Sequence, residues 1–312
     1  MKVYIAGHNG MVGSAIWRKL ALSNKYELIG KSSKELDLRN QDAVNKFIQK
    51  NKPDVIIDSA ARVGGILANN NFPYQFIMEN MQIQNNLIDA SFKNEVSKFI
   101  FLGSSCIYPR MAIQPMTEEM LLTGSLEPTN EWYAIAKISG VKSCEAIRKQ
   151  YDRDFVSLMP TNLYGPNDNF DLNTSHVLPA MIRKFHEAKQ NNTEVTLWGS
   201  GLSKREFLHV DDLASAVEFS INNTLPNSLY NVGVGEDLSI KELANIIART
   251  TDYNNNIHWD ATKPDGTPRK LMNVEKLLKL GWQASIKLED GILETYKWYL
   301  QQNNIKNVKI YS

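Results

Sequence analysis

The stretch Phe99-Ile-Phe-Leu-Gly-Ser-Ser-Cys-Ile-Tyr-Pro109 decides how this chain is read. It opens as an apolar run, the pattern of a strand buried on both faces. It closes in small and polar residues, where such a strand would reach its carboxyl edge. In open α/β sheets ligands bind at that edge. Side chains two apart on a strand share a face, so Ser104 and Cys106 are expected to point into one site, a hydroxyl beside a thiol.

Outward from this stretch, strand-like runs alternate with helix-length segments through the first half. Candidate strands are 2–6, 26–30, 55–59, 98–103 and 154–159, and candidate helices are 13–23, 41–51, 74–93 and 132–151. The alternation predicts an α/β fold, a Rossmann-type doubly wound parallel sheet with helices on both faces. After Pro166 the chain turns polar and turn-rich, Pro166-Asn-Asp-Asn-Phe-Asp-Leu-Asn173. Helices are then expected at 177–190 and 239–250 and strands at 194–198, 229–232 and 256–260. A further helix should follow Arg205-Glu-Phe-Leu-His-Val-Asp-Asp212, capped by Asp211 or Asp212. Leu288, Ile292, Leu293, Tyr296, Tyr299 and Leu300 outline a last amphipathic helix. The expected division is a dinucleotide-binding domain at 1–165, with segments near 203–235 returning to it, and a smaller C-terminal α/β substrate domain at 166–312.

Bulk properties narrow the function. The 312 residues carry 35 Lys and Arg against 34 Asp and Glu, with no strongly basic stretch, which argues against nucleic acid and membrane surfaces as partners. The first apolar run is too short for a signal peptide, and no run is long enough to suggest a membrane span. The two cysteines, Cys106 and Cys144, lack metal-type spacing. No metal is expected, and a reduced cytoplasmic setting is.

Gly7-His-Asn-Gly10-Met-Val-Gly13 follows one candidate strand and opens a helix. In that context Gly7 allows a tight turn, Gly10 lets backbone approach a pyrophosphate at the helix amino end, and Gly13 allows close helix–strand packing. An NAD site usually carries an acid at the end of the second strand. Here that place reads Gly30-Lys31-Ser-Ser-Lys34, and Glu35 is the first acid. Lys31 and Lys34 would attract a 2′-phosphate instead, which favours NADP(H). Further on, Tyr133-Ala-Ile-Ala-Lys137 puts a phenol and an ammonium on one helical face. The ammonium is expected to lower the phenol's pKa, so that Tyr133 gives a proton to a carbonyl oxygen as hydride reaches the carbon. Ser104 would hydrogen-bond the same oxygen. These two stretches are expected to meet around a nicotinamide ring.

The motifs together resemble the extended short-chain dehydrogenase/reductase superfamily and, within it, the GDP-4-keto-6-deoxy-D-mannose epimerase/reductases, the GDP-L-fucose synthase family. The resemblance runs nearly end to end. It is carried by Ala6-Gly-His-Asn-Gly-Met-Val-Gly-Ser-Ala-Ile16, Val63-Gly-Gly-Ile66, Leu102-Gly-Ser-Ser-Cys-Ile-Tyr-Pro109 and Glu127-Pro-Thr-Asn-Glu131. Tyr133-Ala-Ile-Ala-Lys137, Met159-Pro-Thr-Asn-Leu-Tyr-Gly-Pro166, Ser175-His-Val177, Arg205-Glu-Phe-Leu-His-Val-Asp-Asp212 and Lys263-Pro-Asp-Gly-Thr-Pro-Arg-Lys270 continue it.

The resemblance implies that a GDP-linked 4-keto-6-deoxy sugar is inverted at carbons 3 and 5 and then reduced at carbon 4 by NADPH. The ketone acidifies the flanking carbon–hydrogen bonds, and inversion needs a base and an acid on opposite faces. In the family these are a Cys and a His, which correspond to Cys106 and His176. It places cofactor contacts at Asn9, Met11 and Val12 beside the glycines. Further cofactor contacts fall at Leu102, Gly103, Ser104 and Ser105, at Pro160, Thr161, Asn162 and Leu163, and at Tyr133, Lys137 and His176. Substrate contacts fall at Lys184, Trp198, Arg205 and Asp265. Lys184 and Arg205 suit a pyrophosphate, Trp198 offers an aromatic face, and Asp265 suits hydroxyls. Bacterial members often carry Arg where this chain has Asn9 and another base where it has Ser33, so Lys31 or Lys34 is left to hold the 2′-phosphate. The superfamily also implies a homodimer packed through the helices at 74–93 and 132–151. Two other readings compete: a C4-reductase of a related GDP-4-keto sugar, a heptose or a 3,6-dideoxy sugar, with partial or no epimerase activity, and a non-catalytic NADP-sensing regulator. The intact Ser104, Tyr133 and Lys137 speak against the regulator.

Overall fold

The computed structural model describes residues 1–263 and 265–304. Pro264 and the last part of the expected second domain, 305–312, lie outside the described residues. The first half builds β1 (Lys2–Ala6), α1 (Met11–Ala21), β2 (Glu27–Ile29), α2 (Gln41–Asn51) and β3 (Val55–Asp58). There follow α3 (Ile66–Asn71), α4 (Pro73–Lys93), β4 (Lys98–Leu102), α5 (Glu131–Tyr151) and β5 (Asp154–Pro160). The second half adds β6 (Asn162–Tyr164), α6 (Val177–Asn191), β7 (Val195–Trp198), β8 (Lys204–Arg205), β9 (Phe207–His209), α7 (Val210–Asn222) and β10 (Leu229–Val232). It ends with β11 (Leu238–Ser239), α8 (Ile240–Thr251), β12 (Ile257–Asp260), β13 (Arg269–Lys270), α9 (Glu275–Lys279) and α10 (Leu288–Asn304).

The main sheet has the order β10-β5-β4-β3-β1-β2, and every pairing is parallel. The chain leaves β1 for β2 on one side and β3 on the other, so the switch point lies between β1 and β3. Parallel strands need helical crossovers, and these cover both faces. On one face Val3, Ile5, Val55, Ile57 and Ile100 pack with α1 and α7. On the other, Tyr4, Ile56, Phe99 and Phe101 pack against residues of α2, α4 and α5. That two-sided burial is why β3 and β4 read as unbroken apolar runs in the sequence. A third cluster joins α6, α8 and α10 around Phe185, Leu243, Ile247 and Ile292. Three small sheets, β11-β8-β13, β12-β7 and β6-β9, link these layers.

Two local expectations change. Helix α7 is capped by the His209 side chain, which accepts from the Asp211 amide, and Asp211 and Asp212 occupy the first turn. Asp212 turns instead to the backbone amides of Ser285 and Ile286, at 3.1 and 3.0 Å, tying α7 to the approach of α10. Residues 105–107 form a single 3₁₀ turn beyond β4. Ser104 and Cys106 therefore meet through that turn and not through a strand's alternation. No helix among the described residues is long and apolar enough to cross a membrane.

Candidate active site

The carboxyl ends of β1, β3, β4, β5 and β10 line one edge of the sheet. At β1 the chain turns through Gly7, with φ +79°, into α1, whose N-cap is Gly10. A Cβ on Gly13 would stand 2.2 Å from the Gly7 carbonyl oxygen, so only glycine lets the helix start this close to the turn. The first turn of α1 carries no acid, and no side chain caps it. Its free amide groups and positive dipole end suit a pyrophosphate. Asn9 is exposed at the tip of the turn, and Met11 and Val12 lean on the core. Beyond β2, Lys31 is ion-paired with Glu35 at 2.9 Å, and Glu35 also accepts from the Ser32 amide. Lys31 is thus half-buried and already partnered, whereas Lys34 is exposed.

At β4, Leu102 and Gly103 lead into Ser104, whose hydroxyl accepts from the Cys106 amide at 3.3 Å. Ser105 and Cys106 are buried. Burial pushes the Cys106 thiol up, while the Lys270 ammonium, the Ser104 hydroxyl and the Lys137 ammonium pull it back down. Helix α5 packs hard on β4, because a Cβ on Gly140 would meet the Phe101 ring at 2.4 Å. This approach brings the Lys137 ammonium to the Leu102 carbonyl at 2.8 Å. Lys137 also lies 5.9 Å from the centre of the Tyr133 ring, so the pair does share a helix face.

The electrostatics differ from the expectation in one respect. Tyr133 is not made more acidic: burial drives its pKa up, and the neighbouring Cys106 and Asp58 push the same way. The phenol is therefore firmly protonated at neutral pH. Burial lowers the Lys137 pKa, and Asp58 and then Cys106 raise it.

At β5, Pro160 and Thr161 are buried and Asn162 and Leu163 half-buried. Thr161 and Asn162 are pinned to the Glu206 carbonyl, at 3.3 and 2.8 Å. The Glu206 carboxylate itself is fully buried and accepts the amides of Val234, Gly235 and Met272. It knits the junction of β8 and β9 to the loops beyond β10 and β13.

His176 is the N-cap residue of α6. The loop before it is tied to the loop after β3 by the Gly65 amide, which donates to the Thr174 carbonyl at 3.0 Å. The imidazole is open to solvent yet hemmed in by protein, and desolvation lowers its pKa. The remaining candidates gather around β7, β8 and the loop before β13. Trp198 is exposed, with the ammonium groups of Lys184 and Lys263 at 5.9 and 5.6 Å from its ring. Asp265 accepts the Ser200 amide at 2.6 Å and attracts Arg205. In the sheet register Arg205 stands beside Lys270.

Three residues here escaped the sequence reading. Lys270 ends a motif quoted above, but nothing local marks it; only the β13–β8 pairing delivers it to Cys106. Lys263 was in the same motif. Asp58 had a signal, an acid closing the apolar run Val55-Ile-Ile. Among the described residues, His209, Asp211 and Glu294 lie close enough to one another to share a cation. The Arg18 guanidinium at 2.7 Å from Asp211 already supplies positive charge there.

An open parallel sheet with a glycine turn at its switch point, and a Ser, a Tyr and a Lys beside the neighbouring strand ends, defines a dinucleotide-dependent enzyme of the short-chain dehydrogenase type. Residues 3–233 match the model of the NAD dependent epimerase/dehydratase family, and the chain belongs to that family. It is 51% identical over 313 residues to the GDP-L-fucose synthase of Escherichia coli strain K12, covering 97% of this chain and 98% of that one. It is 54% identical over 301 residues to a putative GDP-L-fucose synthase 2 of Arabidopsis thaliana, covering 96% and 92%. Its structure is similar to that of a GDP-mannoheptose C4 reductase from Campylobacter jejuni with NADP bound, with TM-score 0.89, 38% identity and coverage of 96% and 98%.

Proposed function

We propose that this chain is an NADPH-dependent 3,5-epimerase and 4-reductase that converts GDP-4-keto-6-deoxy-D-mannose to GDP-L-fucose. The observation that carries the reading is the convergence of a thiol, a hydroxyl, a phenol and two ammonium groups at one strand end: Cys106, Ser104, Tyr133, Lys137 and Lys270. The first half of the chain would hold the dinucleotide and 166–312 most of the sugar nucleotide. Gly7, Gly10 and the amino end of α1 would hold the pyrophosphate of the cofactor, with Lys31 or Lys34 taking the 2′-phosphate. When bound, the reduced nicotinamide supplies hydride to carbon 4.

The side chains do the rest. Ser104 donates a hydrogen bond to the ketone oxygen and so favours the enolate. Cys106 as thiolate takes a proton from carbon 3 or 5, and His176 delivers one to the opposite face. A lowered imidazole pKa makes its protonated form the readier donor. Tyr133 then gives its proton to the oxygen at carbon 4, so one hydride and one proton turn the ketone into an alcohol. Lys184 and Arg205 neutralise the diphosphate, Trp198 lies against an apolar face of the nucleotide, and Asp265 accepts from hydroxyls. The protein works as a homodimer through α4 and α5.

The similarity to a C4 reductase supports a second reading, in which carbon 4 of a GDP-linked heptose is reduced with little or no inversion. One experiment separates the two. The enzyme is given GDP-4-keto-6-deoxy-mannose and NADPH in deuterium oxide, and the product ring is read by NMR. Deuterium at carbons 3 and 5 with the L-galacto configuration supports the epimerase/reductase, and Cys106→Ser should abolish that deuterium. Reduction with both carbons unlabelled supports the second reading, and no turnover of this sugar, nor of a GDP-linked 4-keto heptose given in a parallel reaction, removes both.

A further inference from the structure

We propose that Asp58 is a positioning residue of the reaction centre, the buried counter-ion that keeps Lys137 charged and held beside Tyr133. The inference rests on the reading of Tyr133 and Lys137 as the proton-donating pair. Asp58 is the last residue of β3, in register with Ala6 of β1 and Phe101 of β4, at the middle of the edge where the site forms. It is completely buried. One carboxylate oxygen accepts the Ala60 amide at 3.2 Å, and the other has no hydrogen-bond partner. An unsatisfied carboxylate in a protein interior is expensive, and an apolar side chain like the Ile56 and Ile57 before it would be cheaper. What offsets this is charge of opposite sign.

The groups facing Asp58 show where that charge lies. From β1 comes the Tyr4 hydroxyl, itself buried and without a partner. From α5 come Lys137, Tyr133 and Cys144; the Lys137 ammonium stands 4.7 Å from the centre of the Phe101 ring, the β4 residue that pairs with Asp58 in the sheet. Helix α4, which also packs on β3, buries Asn80 and Gln84 as polar side chains, both uncharged. Lys137 is the cation of this set. Its ammonium has three protons, and the Leu102 carbonyl takes one. Burial drives Asp58 up to about 6, so it is ionised at neutral pH and above. A buried lysine with no counter-ion tends to lose its proton near neutrality. Asp58 prevents that and leaves a positive charge beside the phenol when Tyr133 gives up its proton.

Asp58→Asn keeps the shape and the Ala60 bond but removes the charge. In steady-state reduction, the alkaline fall of kcat should then begin at least about one pH unit lower than in the parent enzyme. The KM for NADPH should change less than about twofold, because a positioning residue acts on kcat. An unshifted alkaline limb, or an equal loss at every pH, would overturn the proposal. If Asp58→Asn does not fold, the parent enzyme answers alone, by NMR of its lysine ¹³Cε resonances, with Lys137→Arg identifying the signal. Lys137 should stay protonated beyond about pH 9, and deprotonation below about pH 8 overturns the counter-ion role. That readout needs no sugar, so it stands even if the substrate assignment fails. An unshifted limb in an enzyme that Tyr133→Phe still inactivates rejects Asp58 alone.

Discussion

At the residue scale the site is a competition between burial and charge. Tyr133 sits where burial keeps its proton on, and this is what a donor needs until the ketone oxygen becomes basic. Replacing Tyr133 with Phe removes the donor and little else, since the ring keeps its edge contact with Phe76. Reduction should fall by about 10²-fold or more. NADPH binding, followed by fluorescence titration, should stay within about twofold. Cys106 faces the opposite demand, because it must lose its proton to act as a base. Burial opposes that, and Lys270 is the foremost group favouring it. Lys270→Met should therefore raise the pH at which the thiol becomes reactive. Iodoacetamide labelling of Cys106 as a function of pH should show the limb moving upward, and proton exchange at carbons 3 and 5 should slow at neutral pH. A limb that stays in place would mean that Lys270 does not activate the thiol. The sequence displayed Cys106, Ser104, Tyr133 and Lys137 because each pair is close along the chain, Tyr133 and Lys137 on one helical face and Ser104 and Cys106 within one tight turn. Lys270 stands far from all four along the chain, and only a tertiary pairing brings it near. The acidity expected of Tyr133 was misjudged for a related reason: a sequence shows a neighbouring lysine but not how dry the site is.

At the scale of elements, the strands and helices of the first half were legible because two-sided burial turns a strand into an apolar run and one-sided burial gives a helix its stripe. The boundaries shifted by one or two residues. The two-residue strands β8, β11 and β13 carry no period at all and could not be read. Nor could α3, whose start at Gly65 has no side-chain cap. The cap of α7 went to His209 over the two acids that follow it, because Asp212 is taken by the approach to α10. The junction of β1 and α1 supports a direct test. A methyl group on Gly13 would press on the Gly7 carbonyl and push the helix away from the turn. Overpacking of this kind costs roughly 1–3 kcal/mol, part of it in the geometry of the pyrophosphate cradle. Gly13→Ala should then weaken NADPH binding by about tenfold or more and lower Tm by a few degrees. Unchanged affinity would mean that the cofactor's phosphates do not rest on the start of α1.

At the scale of the whole molecule, helices α4 and α5 pack against each other across one face of the sheet and expose a common outer surface. Tyr74, at 68% exposure, and Trp132, at 44%, stand near their amino ends, and Tyr151, at 49%, lies at the carboxyl end of α5 beside Phe92. Large aromatic rings in water at both ends of one helix pair would suit an interface, where aromatic anchors carry much of the binding energy. In the homodimer proposed above, two such pairs related by a two-fold axis would form a four-helix bundle in which each copy offers the same patch to the other. A stable dimer needs roughly 800 Å² from each partner, an area that two helices of 21 residues can present. Analytical ultracentrifugation at micromolar concentration should give twice the mass of the chain, and Tyr74→Glu with Trp132→Glu should return it to a single copy. Because α5 also carries Tyr133 and Lys137, the bundle would hold the reaction centre's helix from its outer side. The monomeric variant should accordingly lose kcat along with its partner. A monomer at full activity would mean that the helix is positioned by its own sheet alone, through the contact of Gly140 with Phe101.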